Sequence, residues 1–173
     1  MKIEKTLPLI DEILAAWQTV IGTDYQGYRN HVYRLANLCL STDNYSETDK
    51  EKIQIAACFH DIGIWTDATL DYLPPSLRVS VDYLSGTGRA ALMIEMHHRL
   101  RSCDKFGYPL VEAFRRADIA DFSLGIVRMG LSQELIAAVK SAFPNSGFHK
   151  RLVQLGVKRF LRHPLNPLPM FRV

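Results

Sequence analysis

Four ionisable residues of this chain lie inside apolar stretches with helical spacing, where charged side chains are unexpected. They are His31, the adjacent pair His60 and Asp61, and Asp118. Carboxylates are rarely buried unless they are paired or bind a metal ion. Two imidazoles and two carboxylates form a mixed nitrogen and oxygen ligand set, which suits Mn²⁺, Fe²⁺, Co²⁺, Ni²⁺, Zn²⁺ or Mg²⁺ better than a soft metal. The residue types therefore indicate a divalent-metal site. A single histidine on a helix is nevertheless more often a hydrogen-bonded core residue than a ligand, and Asp61 could pair with an arginine.

A second polar group lies in the segment from His97 to Arg101. His97 or His98 could be a ligand of a second metal ion or face a substrate, and Arg101 is a candidate phosphate contact. The same segment could instead be a solvated, basic helix end, which is favourable to the helix dipole. The sequence does not separate these alternatives.

Two further polar residues share a helix face with a candidate ligand. Arg34 follows His31 by three positions, and Asp121 follows Asp118 by three positions. Arg34 could hold a substrate phosphate through its planar guanidinium, or it could pair with a surface carboxylate, which is the interpretation we favour. Asp121 could support a metal ligand from behind or accept a hydrogen bond from a sugar hydroxyl.

The elements that must position these residues are helices, because apolar residues recur at steps of three and four along most of the chain. No strand pair, repeat or low-complexity segment interrupts the pattern. The sequence predicts one all-α domain over residues 1–173, a compact bundle of about seven or eight helices. The predicted helices cover about residues 9–21, 27–40, 47–62, 74–84, 89–100, 110–122, 132–143 and 148–161, with an irregular tail over 163–173.

Particular residues mark several helix ends in this prediction. Gly22 is expected to end the first helix and Ser46 or Thr48 to cap the third. Gly63 is expected to close the third helix, and Pro74-Pro75 to begin the fourth. Trp65, Thr66 and Tyr72 in the loop between these helices could form a wall of a pocket.

Composition favours an ordinary globular protein. The 173 residues are 47% hydrophobic and 23% charged, with a formal net charge of +3. That charge does not call for nucleic acid or a membrane surface. Three cysteines without a Cys-x-x-Cys pair indicate a reducing compartment, and we expect a cytoplasmic protein. No stretch reaches the roughly 18–20 apolar residues of a membrane span, and we expect no signal peptide.

The order of the candidate ligands resembles the HD-domain superfamily of metal-dependent phosphohydrolases. Residues 28–35 look like the first-histidine helix of that family, residues 56–63 match its signature His-Asp helix end, and residues 116–121 look like its final-aspartate helix. The resemblance covers about residues 28–125, the core that carries the motifs. Residues 130–173 would then form C-terminal helices and the tail.

The resemblance implies that His31, His60, Asp61 and Asp118 are the metal ligands. It also implies hydrolysis of a phosphate ester in a nucleotide or another small phosphorylated metabolite. A bound divalent cation lowers the pKa of its water and polarises a phosphoryl oxygen. The catalytic residues would be Asp61, which either bridges two metals or orients the attacking water, and His97, which faces the substrate.

One departure from the family pattern bears on the number of metal ions. Two-metal members usually supply another histidine between the His-Asp pair and the later histidine segment, but no histidine occurs between His60 and His97. Asp67 or Asp71 could substitute, although nothing in the sequence shows it. One metal ion is therefore favoured over two.

Two other functions stay open at this point. Some proteins that resemble the family are di-iron oxygenases, which need the full two-metal ligand set and therefore rank lower. The chain could also be a ligand-binding domain without catalysis. A nucleic-acid partner is not indicated, whereas a homodimer in which the tail docks on a partner subunit is left open.

Overall fold

The chain folds into helices joined by short connections. The computed structural model describes residues 3–84, 88–99, 101–102, 108–166 and 169, and these residues form no β-strand. The all-helical bundle predicted from the apolar spacing is thus confirmed. In chain order the helices of this described part are α1 (Pro8–Ile21), α2 (Tyr25–Leu40), α3 (Glu47–Phe59), the single turn α4 (Gly63–Thr66), α5 (Leu73–Leu84), α6 (Gly88–Met96), α7 (Pro109–Phe122), α8 (Gln133–Ala142) and α9 (Phe148–Arg162).

Local chemistry accounts for many of the helix ends. The Ser46 hydroxyl accepts a hydrogen bond from the backbone N–H of Asp49 at 3.2 Å, and so caps α3 as predicted. Ser132 caps α8 in the same way. Gly22 ends α1 as predicted, with a φ of 63° that glycine adopts without strain.

Helix α2 lies at the centre of the molecule and packs against α1, α3, α7 and α8. Its residues from Asn30 to Cys39 are all buried, so it is enclosed on nearly every side. Apolar side chains from its neighbours complete the main core, including Ile10 of α1, Ile53 of α3 and Phe114 of α7. The central position of α2 brings any polar residue on it into contact with several other helices.

Two helices are shorter than predicted, and both end next to a histidine of interest. Helix α3 stops at Phe59, so that Gly63 begins α4 instead of closing α3. The physical reason is packing: the Gly63 N–H donates to Ser76 Oγ at 2.9 Å, which holds this turn against the start of α5. Helix α6 likewise ends at Met96, before His97. The predicted end of α6 at residue 100, like most of the predicted tail after residue 166, lies outside the described residues.

Nowhere in the described part of the chain does a helix combine the length and the apolar composition needed to cross a bilayer.

Replacing Gly63 with alanine should lower the free energy of unfolding by about 1–3 kcal/mol. The new Cβ would overlap the carbonyl oxygen of Tyr72 and lie 2.9 Å from Pro75 Cβ. Gly156→Ala in α9 is the matched control, because its Cβ meets nothing within 4 Å and alanine favours helix interiors. Urea unfolding measures both variants. A Gly63→Ala protein as stable as wild type would contradict the close packing of this turn.

Candidate metal centre

Three of the predicted ligands converge from three parts of the chain. His31 lies on α2, His60 in the turn after α3, and Asp118 on α7, and their ligand atoms lie within 4.8 Å of one another. His31 Nε2 is 2.9 Å from His60 Nε2. Asp118 Oδ1 is 3.8 Å from His31 Nε2 and 3.7 Å from His60 Nε2. All three side chains are buried, so this group could hold a metal ion away from bulk solvent.

A second group consists of Asp61, His97 and His98, whose ligand atoms also lie within 4.8 Å of one another. His97 and His98 are 0% and 6% exposed, which excludes the solvated helix end considered from the sequence. The two histidines follow α6, just as His60 and Asp61 follow α3. The negative end of a helix dipole favours a cation nearby, and α3 and α6 pack against each other.

Asp61 lies between the two groups and turns one carboxylate oxygen towards each. Its Oδ2 is 3.4 Å from His60 Nε2 and 3.7 Å from His31 Nε2. Its Oδ1 is 3.5 Å from His97 Nε2. A carboxylate in this position can bind one cation with either oxygen or bridge two cations.

The hydrogen bonds of three histidines leave their Nε2 atoms available for a metal. The Nδ1 of His60 lies 2.9 Å from the Ala57 carbonyl oxygen, and the Nδ1 of His97 lies 2.7 Å from that of Ile94. A carbonyl oxygen only accepts, so each Nδ1 carries the proton and donates. In the neutral ring, Nε2 then carries a lone pair. His31 has the same arrangement, with the Asp121 carboxylate as acceptor.

Burial sets the charge of the site. Burial lowers the pKa of His60 from 6.5 to about 3, so its ring is neutral near pH 7. Burial and the charge of Asp61 together raise the pKa of Asp118 from 3.8 to about 6, although the nearby His97 opposes this shift. Two carboxylates therefore share a buried site with a neutral imidazole, which is an arrangement that a cation stabilises.

Two atoms of the site lack the partner that a buried polar atom normally has, and two others are well placed for a metal ion. His60 Nε2 and His31 Nε2 are 2.9 Å apart, close enough for one cation to bind both nitrogens. Asp61 Oδ1 and His97 Nε2 are buried without a hydrogen-bond partner among the described residues. Buried polar atoms without partners are costly. These donor atoms therefore fit a divalent metal ion.

Asp121 and Arg34 hold the His31 ring from its Nδ1 side, opposite the Nε2 atom that faces His60. Asp121 Oδ2 is 2.7 Å from His31 Nδ1, and the carboxylate also accepts from Arg34 Nε at 2.6 Å and from Nη2 at 2.9 Å. Although burial alone would raise the pKa of Asp121, His31 and Arg34 hold it well below its usual range. Phe148 closes the other side, with its ring stacked 4.1 Å from that of His31. The contact with His31 is the one expected if Asp121 supports a metal ligand, which stays a prediction.

The structure corrects the interpretation of Arg34. Its side chain is 2% exposed, and its Nη1 also donates to the Phe143 carbonyl oxygen at 3.1 Å. Its carboxylate partner is therefore the buried Asp121 and not a surface residue, and its other hydrogen bonds go to backbone carbonyl oxygens. The pairing leaves no local signal in the sequence, because 87 positions separate the two residues.

Other candidates lie apart from the two groups. Arg101 is exposed and is not among the residues that line the cavity beside the site. Asp67 pairs with Arg78 at 2.6 Å, so it does not replace the missing histidine. Trp65 donates to Asp24 Oδ2 at 3.0 Å. Tyr72, in contrast, forms part of the cavity wall, and its hydroxyl contacts His98 Nε2.

A cavity of about 350 Å³ adjoins both groups. Its polar end is formed by His31, Asp61, His98 and Asp118. Most of the remaining wall is apolar and comes from separate parts of the chain, namely Leu70, Phe122, Leu124, Leu152, Val153 and Gly156. This wall could not be predicted from the sequence, because ordinary apolar residues give no local signal that they face a cavity.

Comparisons with known proteins do not assign a family. No family model matches the chain, and no match was found among curated proteins or solved structures. The structure itself defines an all-helical protein with buried histidine and aspartate groups that could hold a metal ion.

Metal content should depend on His60 and Asp61. The purified protein is expected to contain a divalent transition metal, and His60→Ala and Asp61→Ala should each lose most of it, because each removes a central donor. His163→Ala is the matched control, since His163 is exposed beyond α9. Elemental analysis by mass spectrometry measures all four proteins. Unchanged metal content in both site variants would contradict the assignment of His60 and Asp61 as metal ligands.

Asp121→Asn should weaken metal binding by about 10- to 100-fold, because it removes the acceptor that orients His31 and leaves Arg34 without its counter-charge. Glu112→Gln is the matched control. It disrupts another buried carboxylate–arginine pair on α7, in which Arg115 Nε donates to Glu112 Oε2 at 2.8 Å. Competition against a chelating dye gives both affinities. Equal losses in the two variants would show that Asp121 acts only through general stability.

Proposed function

We propose that this chain is a metal-dependent phosphohydrolase of the HD-domain kind. The observation that carries the proposal is the position of Asp61, with one oxygen towards His60 and the other towards His97. The order of His31, the His60-Asp61 pair and Asp118 in the sequence supports the family. Their convergence at one buried point gives that order a physical meaning.

We propose further that the site holds two divalent cations. The sequence favoured one, because no histidine lies between His60 and His97. Support for two comes from His98, which joins His97 and Asp61 in a second group of three donors. Burial lowers the pKa of His98 well below 6.5, so its ring is neutral and suited to metal binding. In this proposal Asp61 would help to hold both cations.

Bound divalent cations would supply a water of lowered pKa and would polarise the phosphoryl oxygen of the ester. The chain's own residues have three tasks in this reaction. Asp61 and Asp118 provide the negative charge that retains the cations, and the backbone-anchored rings of His60 and His97 fix their positions. Tyr72 orients His98 through its hydroxyl.

Hydrolysis is tested by phosphate release from a panel of nucleotides and small phosphate esters, with Mn²⁺, Fe²⁺, Co²⁺, Ni²⁺, Zn²⁺ or Mg²⁺ supplied in turn. We expect turnover with at least one metal, loss of turnover to background in His60→Ala, and full retention in His163→Ala. Activity that survives in His60→Ala would contradict the proposed site. Tight ligand binding without turnover under any condition would favour a non-catalytic binding domain.

A second candidate function is that of a di-iron oxygenase. The sequence alone ranks this function low, but two observations support it more strongly. They are the second donor group around His97 and the mainly apolar wall of the adjoining cavity. Oxygen consumption by the Fe²⁺-loaded protein separates the two functions. An oxygenase needs oxygen for turnover, whereas phosphate release by a hydrolase continues under nitrogen.

A further inference from the structure

We infer that the substrate of this site carries an apolar group, such as an alkyl chain or an aromatic ring, which occupies the cavity beside the metal centre. The assignment of the reacting group as a phosphate rests on the proposed function. The apolar part of the inference rests on the cavity alone. The expected substrate is therefore an alkyl or aryl phosphate and not a nucleotide.

The cavity has two chemically different ends. Donor atoms of the site lie at one end, and the remainder is bounded mainly by apolar side chains of α7, α9 and the segments after α4 and α7. A volume of about 350 Å³ is within the range of small-molecule sites, which are typically apolar with a few convergent polar groups. A substrate that fits would place its polar group at the donor atoms and its apolar group against this wall.

Charge argues against a nucleotide in this cavity. No lysine or arginine lines it among the described residues. Arg34 is committed to Asp121, and Arg151 of α9 forms an ion pair with Asp24 at 3.0 Å. The cations would therefore have to balance the substrate phosphate, because the described cavity wall offers no lysine or arginine for further phosphates. Apart from the donor end, Tyr72 and His149, the described wall offers the hydroxyls of a sugar no side chain that can form a hydrogen bond with them.

The wall offers apolar surface that a ligand can cover. Leu124 and Val153 are 45% and 65% exposed, and both line the cavity. Covering such side chains is favourable because each methylene removed from water strengthens binding by about fourfold. Affinity should therefore rise with the length of an alkyl chain.

Gly156 provides a precise position at which to test this. It lies in the interior of α9, where glycine is normally disfavoured, and it lines the cavity. A Cβ at this position meets nothing within 4 Å. Because this position lines the cavity and has room for a Cβ, we expect a tryptophan to fill part of the cavity and an alanine to leave most of the space open.

The test measures binding of inorganic phosphate, butylphosphonate, octylphosphonate and adenosine monophosphate to the metal-loaded protein by calorimetry. Phosphonates are used because hydrolysis cannot consume them. We expect octylphosphonate to bind at least about tenfold more tightly than butylphosphonate. Gly156→Trp should remove that advantage, Gly156→Ala should keep it, and inorganic phosphate should bind equally to all three proteins. Val153→Asp, at a solvent-exposed position, is a second variant expected to weaken octylphosphonate selectively.

The outcomes separate this inference from the proposed function. Equal affinity for the two phosphonates, tighter binding of adenosine monophosphate, or an unchanged octylphosphonate affinity in both Gly156→Trp and Val153→Asp would overturn the apolar cavity. If phosphate is released from alkyl phosphates at a rate that does not depend on the length of the alkyl chain, the inference of an apolar substrate group is overturned, whereas hydrolysis is supported. Chain-length dependence that Gly156→Trp abolishes, without turnover of octyl phosphate, would support the cavity while contradicting hydrolysis.

Discussion

The geometry of the site depends on one buried carboxylate, that of Asp121. It accepts from His31 and from Arg34, and Arg34 in turn donates to the carbonyl oxygens of Phe143 and Pro144. One side chain of α7 thus fixes α2 and the connection between α8 and α9. Buried ion pairs contribute little net stability, because desolvation offsets the attraction between the charges. Their directionality is what matters here, since it orients the His31 ring and so defines where a cation can bind.

The helices could be predicted where their signals are local. Apolar spacing located every long helix of the described part, and capping chemistry at Gly22 and Ser46 placed two ends correctly. The ends of α3 and α6 could not be predicted in this way. Gly63 resembles an ordinary helix terminator in the sequence, but its position depends on a hydrogen bond to Ser76, which belongs to another helix. Tertiary contacts of this kind leave no trace in the neighbouring residues.

The residues of the site could be predicted where their type is unusual for their position in the sequence. A histidine or aspartate in an apolar helix is conspicuous, and the four residues singled out on that basis do lie together. His97 and His98 were ambiguous, because only the packing of α6 on α3 decides whether they are buried beside Asp61 or solvated. The cavity wall could not be predicted from the sequence, because Leu124 and Val153 differ from other apolar residues only in that they face the cavity.

Helix α9 connects the two halves of the site. Its first residue, Phe148, stacks on the imidazole of His31, and two turns later Gly156 borders the cavity. A molecule that orders α9 from the cavity side therefore also holds the ring that packs against a metal ligand. Thermodynamic linkage is reciprocal. If that molecule increases the affinity of the protein for a cation, the cation must increase the affinity for that molecule by the same factor. The helix would thereby couple the proposed cations to the apolar part of the proposed ligand, in addition to the direct contact between the cations and the phosphate.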